Sequence, residues 1–269
     1  MSDSLPRVVV TDLDGTFLSP DGSVSKINSA AADRARDAGI VFLVATGRAP
    51  RGLGPIREMP GASPVAVVSN GAILYDPDRD EVLASVPIDQ DVAAIVVDDL
   101  RGAIAGVSFA FEQGHRLAIE PRYRTWSPAD DQPGMVVAQA EELVRADPYV
   151  KLLVQHQERT ADELADLAKE VIGDRLTVTH SAASNFGLLE VSAPGVSKAS
   201  MLDRYCAELG VAPLEVAAFG DMPNDIEMLR WAGRPYAMAD AHPSVLPYAT
   251  VIGSNANSAV GRTITSWLS

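Results

Sequence analysis

Short apolar runs without polar alternation recur along the first third of this chain, and segments of helical spacing lie between them. Val8-Val9-Val10-Thr11 is β-branched and too short for a helix, which suits a strand buried on both faces of a parallel sheet. Ser25 then stands where a helix cap is expected, ahead of Ile27, Ala30, Ala31, Ala35 and Ala38 at helical spacing, with Gly39 closing the segment. Residues 40–45 and 65–69 give two more buried strands. Asn70-Gly71 follows, and residues 72–75 with 81–86 predict a hairpin over an Asp- and Pro-rich turn.

The pattern changes after residue 86. A helix over 91–104 precedes short strands at 107–111, 116–120 and 149–155. A helix over 160–172, with Leu164, Leu167, Ala168 and Val171 on one face, precedes a strand at 176–179. The α/β alternation resumes at 188–192 with a strand, then a helix over 198–209, a strand at 216–219 and a helix over 223–232. A β-rich, partly antiparallel stretch between two parallel α/β stretches predicts an inserted domain. The expected fold class is therefore α/β, with a discontinuous parallel-sheet core formed by 1–85 plus 189–269 and an α+β insert at 86–188.

Composition narrows the function classes. With 22 Lys+Arg against 36 Asp+Glu, the 269 residues carry a formal charge of −14, and no basic cluster relieves it. Extended binding to a nucleic-acid backbone is not expected. No apolar run approaches the roughly 20 residues of a membrane span, and the N-terminal residues lack a signal-peptide core, so a cytoplasmic protein with no membrane partner is expected. One cysteine, Cys206, allows neither an internal disulfide nor a thiolate metal cluster, which fits a reducing compartment.

The chemistry-bearing residues gather at the ends of predicted strands. Asp12-Leu13-Asp14-Gly15-Thr16 directly follows the first one, at the edge where open α/β sheets bind ligands. Two carboxylates at that spacing can divide nucleophilic attack from proton exchange. They also repel each other and an anionic substrate, so a cation is expected. Gly220-Asp221-Met222-Pro223-Asn224-Asp225 ends another strand, and Asp225 heads a stripe with Met228, Leu229 and Ala232. Burying an unpaired carboxylate there is costly, and an all-oxygen donor set favours Mg2+ over Zn2+. Lys198 likewise heads a stripe with Met201, Leu202 and Tyr205, where its ammonium either stabilises transferring negative charge or extends to the surface. Thr46-Gly47 offers a hydroxyl and an open N–H for phosphate oxygens, whereas Asn70-Gly71 alone reads as a common hairpin turn.

Taken in order, Asp12–Thr16, Ala45-Thr46-Gly47-Arg48, Lys198 and Gly220–Asp225 resemble the four motifs of the haloacid dehalogenase superfamily. Ser69-Asn70-Gly71-Ala72, Gly195–Lys198 and Ile226–Leu229 extend the likeness. The long insert between the second and third motifs resembles the Cof-type phosphatases. The resemblance implies a Rossmann-like core with an inserted cap, and an enzyme that hydrolyses phosphomonoesters of small metabolites through an aspartyl phosphate. It implies Asp12 as nucleophile, Asp14 as general acid/base, and Thr46, Gly47, Lys198 and Asn224 as phosphate contacts. It places Mg2+ on Asp12, the Asp14 main-chain carbonyl and Asp221, with Asp225 in support. Departures fall at Ala237–Ala241 and Asn255–Val260, outside the four motifs. A phosphomutase or a non-catalytic metabolite binder on the same scaffold are the alternatives.

The remaining candidates are weaker. His115, His156, His180 and His242 lack metal-binding spacing, and Cys206 falls in an apolar stripe. Arg122, Tyr123, Arg124 and Trp126 in the insert, and residues 181–186 near its end, are the expected candidates for leaving-group contact, the former also reading as a solvated loop. No protein partner is expected.

Overall fold

The computed structural model describes residues 5–57, 65–125, 135–181 and 186–268. Along the chain the elements are β1 (Val8–Thr11), α1 (Lys26–Asp37), β2 (Val41–Ala45), α2 (Gly54–Arg57), β3 (Ala66–Val68), β4 (Ile73–Asp76) and β5 (Glu81–Ser85). Next come α3 (Gln90–Ala103), β6 (Ser108–Gln113), β7 (Arg116–Ile119), β8 (Val136–Val137), α4 (Ala140–Leu143), β9 (Lys151–His156), α5 (Ala161–Ile172), β10 (Thr177–Thr179) and β11 (Gly187–Ser192). The last stretch holds α6 (Lys198–Glu208), β12 (Val216–Gly220), α7 (Ile226–Trp231), β13 (Arg234–Ala237), β14 (Thr250–Val251) and α8 (Ala259–Trp267). Among the described residues, no helix is long and apolar enough to cross a membrane.

Two compact units divide the chain: Met1–Arg48, Leu53–Leu83 and Ser197–Ser269 form one, Ala49–Gly52 and Ala84–Val196 the other. The first is built on a sheet of order β14-β13-β12-β1-β2-β3-β4-β5. From β14 to β3 the neighbours are parallel, and β4 turns back antiparallel on β3. Val8, Val9 and Val10 of the central strand have no exposed surface, and each such side chain contributes roughly 1.5–3 kcal/mol of burial. This is why β1 reads as an unbroken apolar run. The chain progresses from β1 outward to β2 and β3, then returns to start again at β12 on the other side of β1. The β1/β12 junction is thus a topological switch point, the place at the strands' carboxyl ends where open α/β sheets bind ligands.

Local signals set the helices. Ser25 Oγ accepts the Asn28 N–H at 3.1 Å and starts α1, as expected. Ser197 caps α6 by accepting the Ser200 N–H at 3.2 Å, which makes Lys198 the first helical residue. Thr160 and Glu163 form a reciprocal capping box at α5.

The second unit holds a mostly antiparallel sheet of order β10-β11-β9-β6-β7-β8. The strand at Leu188–Ser192, expected to resume the core, belongs here: β11 pairs antiparallel with β9 and β10, and the first unit resumes only at Ser197. Its apolar run is compatible with either sheet, and only the pairing decides. The sheet buries an ionic cluster that periodicity does not reveal. Lys151 Nζ lies 2.8 Å from Glu190 and 3.6 Å from Glu112, whose other oxygen is 3.4 Å from Arg51.

Candidate active site

Strand β1 delivers Asp12 to the switch point, where its N–H bonds to the Phe219 carbonyl of β12 at 2.9 Å. Asp12 is buried, and its Oδ1 accepts from Lys198 Nζ at 2.5 Å. The same ammonium donates to Asp225 Oδ1 at 2.6 Å, and Lys198 has no exposed surface. The lysine therefore does not reach the surface: Ser197 caps α6, and Lys198, its first residue, lies between two carboxylates. Burial alone pushes an ammonium down, but Asp12 and Asp225 outweigh it and hold Lys198 above the ordinary lysine range.

The second oxygen of Asp225 is engaged too. Oδ2 accepts the N–H groups of Asp221 and Met222 at 2.9 and 3.0 Å, closing the turn that leads into α7. Asp225 thus braces the loop and the lysine together. Asp221 Oδ1 accepts the Thr16 hydroxyl at 2.6 Å. Gly15, at φ +77°, lies so close that a Cβ would stand 2.2 Å from Asp221 Oδ2, so a side chain here would be strained and would displace the Asp221 carboxylate.

Asp12, Asp221 and Asp225 each present a carboxylate oxygen within 4.8 Å of the others. Three carboxylates around one ammonium leave excess negative charge in a dry place. Burial raises the Asp221 carboxyl to about 7, with the Asp225 charge adding to it and the Thr16 hydroxyl opposing it. Burial also raises Asp12 well above the carboxylate range, against the pull of Lys198 and with Asp225, Asp221 and Asp14 adding to the rise. An all-oxygen donor set with surplus negative charge fits a small hard divalent cation.

The Asp14 side chain turns away from this cluster. Arg48 grips it in a two-point pair, Nε to Oδ2 at 2.7 Å and a terminal nitrogen to Oδ1 at 2.6 Å. Arg48 belongs to a quoted motif, yet no local pattern signals a partner 34 residues away. Thr46 is buried, its Oγ1 accepts the Arg48 N–H at 3.1 Å, and its carbonyl accepts the Asn70 N–H at 3.0 Å. Asn224 donates to Asn70 Oδ1 at 3.0 Å. Thr46-Gly47 and Asn224 thus join through Asn70, and Asn224 adjoins Asp225.

Other candidates have structural places. Cys206 is buried, and burial pushes its thiol up to about 11. His156 uses both ring nitrogens, toward the Ala105 carbonyl and the Glu158 N–H. Tyr123 packs in a cluster with Ala110, Leu117, Ile119 and Leu153, and the Gln155 side-chain amide accepts from the Arg124 N–H and donates to its carbonyl. Trp126 and residues 182–185 lie outside the described residues.

A family model described as haloacid dehalogenase-like hydrolase matches residues 9–264. The chain is 27% identical to the HMP-PP phosphatase of Cronobacter sakazakii, covering 98% of this chain and 96% of that protein. It is 28% identical to the pyridoxal phosphate phosphatase YbhA of Escherichia coli, covering 97% and 98%. The crystal structure of SMU.1108c from Streptococcus mutans shares its fold, with a TM-score of 0.83, 22% identity and coverage of 98% and 99%.

Proposed function

This chain belongs to the haloacid dehalogenase-like hydrolases, and we propose that it is a Mg2+-dependent phosphomonoesterase for a small phosphorylated metabolite, working through an aspartyl phosphate. The observation that carries this reading is the ordering of Asp12 by the fully buried Lys198, beside the carboxylates of Asp221 and Asp225. The named activities of the two phosphatase relatives support the substrate class.

With Oδ1 held by Lys198, Asp12 attacks phosphorus through Oδ2, and the bond to the leaving oxygen breaks. Asp14 supplies the proton to that oxygen, then takes one from the water that hydrolyses the aspartyl phosphate. Arg48 occupies both Asp14 oxygens in this structure, so proton transfer through Asp14 requires this pair to open. Thr46, Gly47 and Asn224 bind phosphoryl oxygens, and Lys198 offsets their charge. Asp12, Asp221 and the Asp14 carbonyl would hold Mg2+, with Asp225 organising its ligands. When bound, the metal supplies Lewis-acid stabilisation of the transferring phosphoryl group.

The test is phosphate release from a panel of sugar phosphates, phosphorylated cofactors and polyol phosphates with Mg2+. Release from at least one class is expected. Isomerised sugar phosphate without free phosphate would make the protein a mutase, and tight binding without turnover would make it a binding protein.

Metal binding carries a pH signature. In metal-free protein the Asp221 carboxyl titrates at about 7 when folded, against 3.8 ordinarily, so the folded state holds the extra proton. Stability then falls as pH rises between about 4 and 7. A bound cation competes with that proton, so the rise in thermal midpoint on adding Mg2+ should be larger at pH 8 than at pH 5.5. An equal rise at both pH values would remove Asp221 from the ligand set.

A further inference from the structure

Turnover needs the Arg48–Asp14 pair to open, and opening takes a guanidinium fork off its carboxylate beside the reacting groups. Arg48 Nε lies 2.7 Å from Asp14 Oδ2 and a terminal nitrogen 2.6 Å from Oδ1, so the fork covers both oxygens. A ligand can reach the pair from solvent, since the two side chains are 28% and 53% exposed. Hydrogen bonding to Asp14 holds Arg48 above the ordinary arginine range, and the Asp12 charge adds to the rise, so the guanidinium also feels the nucleophile.

The backbone of Arg48 takes no part in that opening. Its N–H donates to Thr46 Oγ1 at 3.1 Å, and its carbonyl accepts the Ser69 N–H at 2.8 Å. Both ends of the residue are thus tied next to Thr46, and only the side chain has to turn. A planar fork that fits the Asp14 carboxylate fits a second carboxylate or a phosphate equally well. Where no such group arrives, opening gives up two charge-assisted hydrogen bonds to water. Where one does, the fork exchanges one anion for another and little is lost.

We propose that Arg48 selects substrates whose leaving alcohol carries a second anionic group, a carboxylate or another phosphate, close to the leaving oxygen. Closeness follows from the geometry, because the fork starts on the very carboxylate that has to reach that oxygen. Such a substrate takes over the guanidinium and releases Asp14 toward the leaving oxygen. A neutral or cationic leaving group leaves the pair shut. The proposal rests on the phosphomonoesterase reading and narrows its substrate class.

Phosphonates of one chain length, whose P–C bond is not hydrolysed, test it by titration calorimetry of the Mg2+-loaded protein. The acids 3-phosphonopropionate and propane-1,3-bisphosphonate carry the second anion, 3-hydroxypropylphosphonate carries none, and 3-aminopropylphosphonate carries a cation. Both anionic ligands are expected to bind about 5- to 30-fold more tightly than the hydroxyl ligand, the scale of a charged hydrogen-bonded pair at a partly exposed site, and the ammonium ligand more weakly. A gain for one anionic ligand alone supports the proposal and names the group the fork takes. Arg48→Gln should melt near the wild type and bring the anionic and hydroxyl ligands within about 2-fold of each other, whereas Arg48→Lys, charged but without the fork, should keep part of the preference. Asp14→Asn has the opposite sign: with a neutral amide in place of the competing carboxylate, the preference should widen by at least about 3-fold. A wild type that does not distinguish the ligands, a preference that survives Arg48→Gln, or one that fails to widen in Asp14→Asn overturns the proposal. Because these ligands are not cleaved, the outcome stands apart from phosphate release from the panel, which decides the enzymatic reading.

Discussion

Asp12→Asn is expected to fold normally and to release phosphate at least about 10⁴-fold more slowly than the wild type, the scale at which removal of an attacking group is felt. The geometry separates the two effects. Asn keeps the shape of Asp and an oxygen for the Lys198 ammonium, which at 2.5 Å is the hydrogen bond that orders this side chain. It loses the nucleophilic charge. It also removes one of three carboxylates crowded around that ammonium, so the metal-free variant should unfold at the same temperature as wild type or slightly above it. Asp14→Asn gives the contrast. Its side chain lies outside the carboxylate cluster, in the grip of Arg48, so the loss should be about 10²- to 10⁴-fold, as for general acid/base groups, with a flattened pH–rate profile. Phosphate release from Asp12→Asn at more than a hundredth of the wild-type rate, with unfolding unchanged, would remove Asp12 as nucleophile.

These expectations rest on residues that differ in how openly the sequence shows them. Asp12 and Asp14 are legible because they follow an apolar run whose burial in mid-sheet fixes where its carboxyl end lies. Lys198 is less so: the same stripe of Met201 and Leu202 suits a surface lysine, and only the Ser197 cap, which aims the first residue of α6 inward, decides. Arg48 and Asn70 act through partners 34 and 154 residues away, and no local period reports such a distance. Asn70-Gly71 does turn the chain between β3 and β4, as its composition suggests. The turn's second use, a buried amide, follows from where the Asn224 loop arrives. At the level of the fold, β11 illustrates the same gap. Its apolar residues suit either sheet, and antiparallel pairing with β9 is a long-range fact. Strands β13 and β14 escape a pattern reading because they are short and partly exposed.

Lys198→Met should cost about 3–5 kcal/mol of stability and all measurable turnover, the largest structural effect of any single change in this site. Methionine fills much of the same volume, so little of the loss comes from a cavity. It comes from the carboxylates left behind. Asp12 and Asp225 are both buried, and the ammonium at 2.5 and 2.6 Å is what makes their charge tolerable. Without it burial of Asp12 is no longer opposed by the ammonium, and the folded state gains by binding a proton there. The sign of the pH response follows: stability of the variant should fall as pH rises from about 4 to 8, more steeply than in the metal-free wild type. Adding Asp225→Asn to Lys198→Met removes one stranded charge while its amide oxygen still accepts from Asp221 or Met222, so the double variant should regain part of the loss. Urea unfolding at pH 5.5 and 8 measures all three proteins. If Lys198→Met is as stable as the wild type at pH 8, the ammonium does not balance these carboxylates, and its place in catalysis loses its physical basis as well.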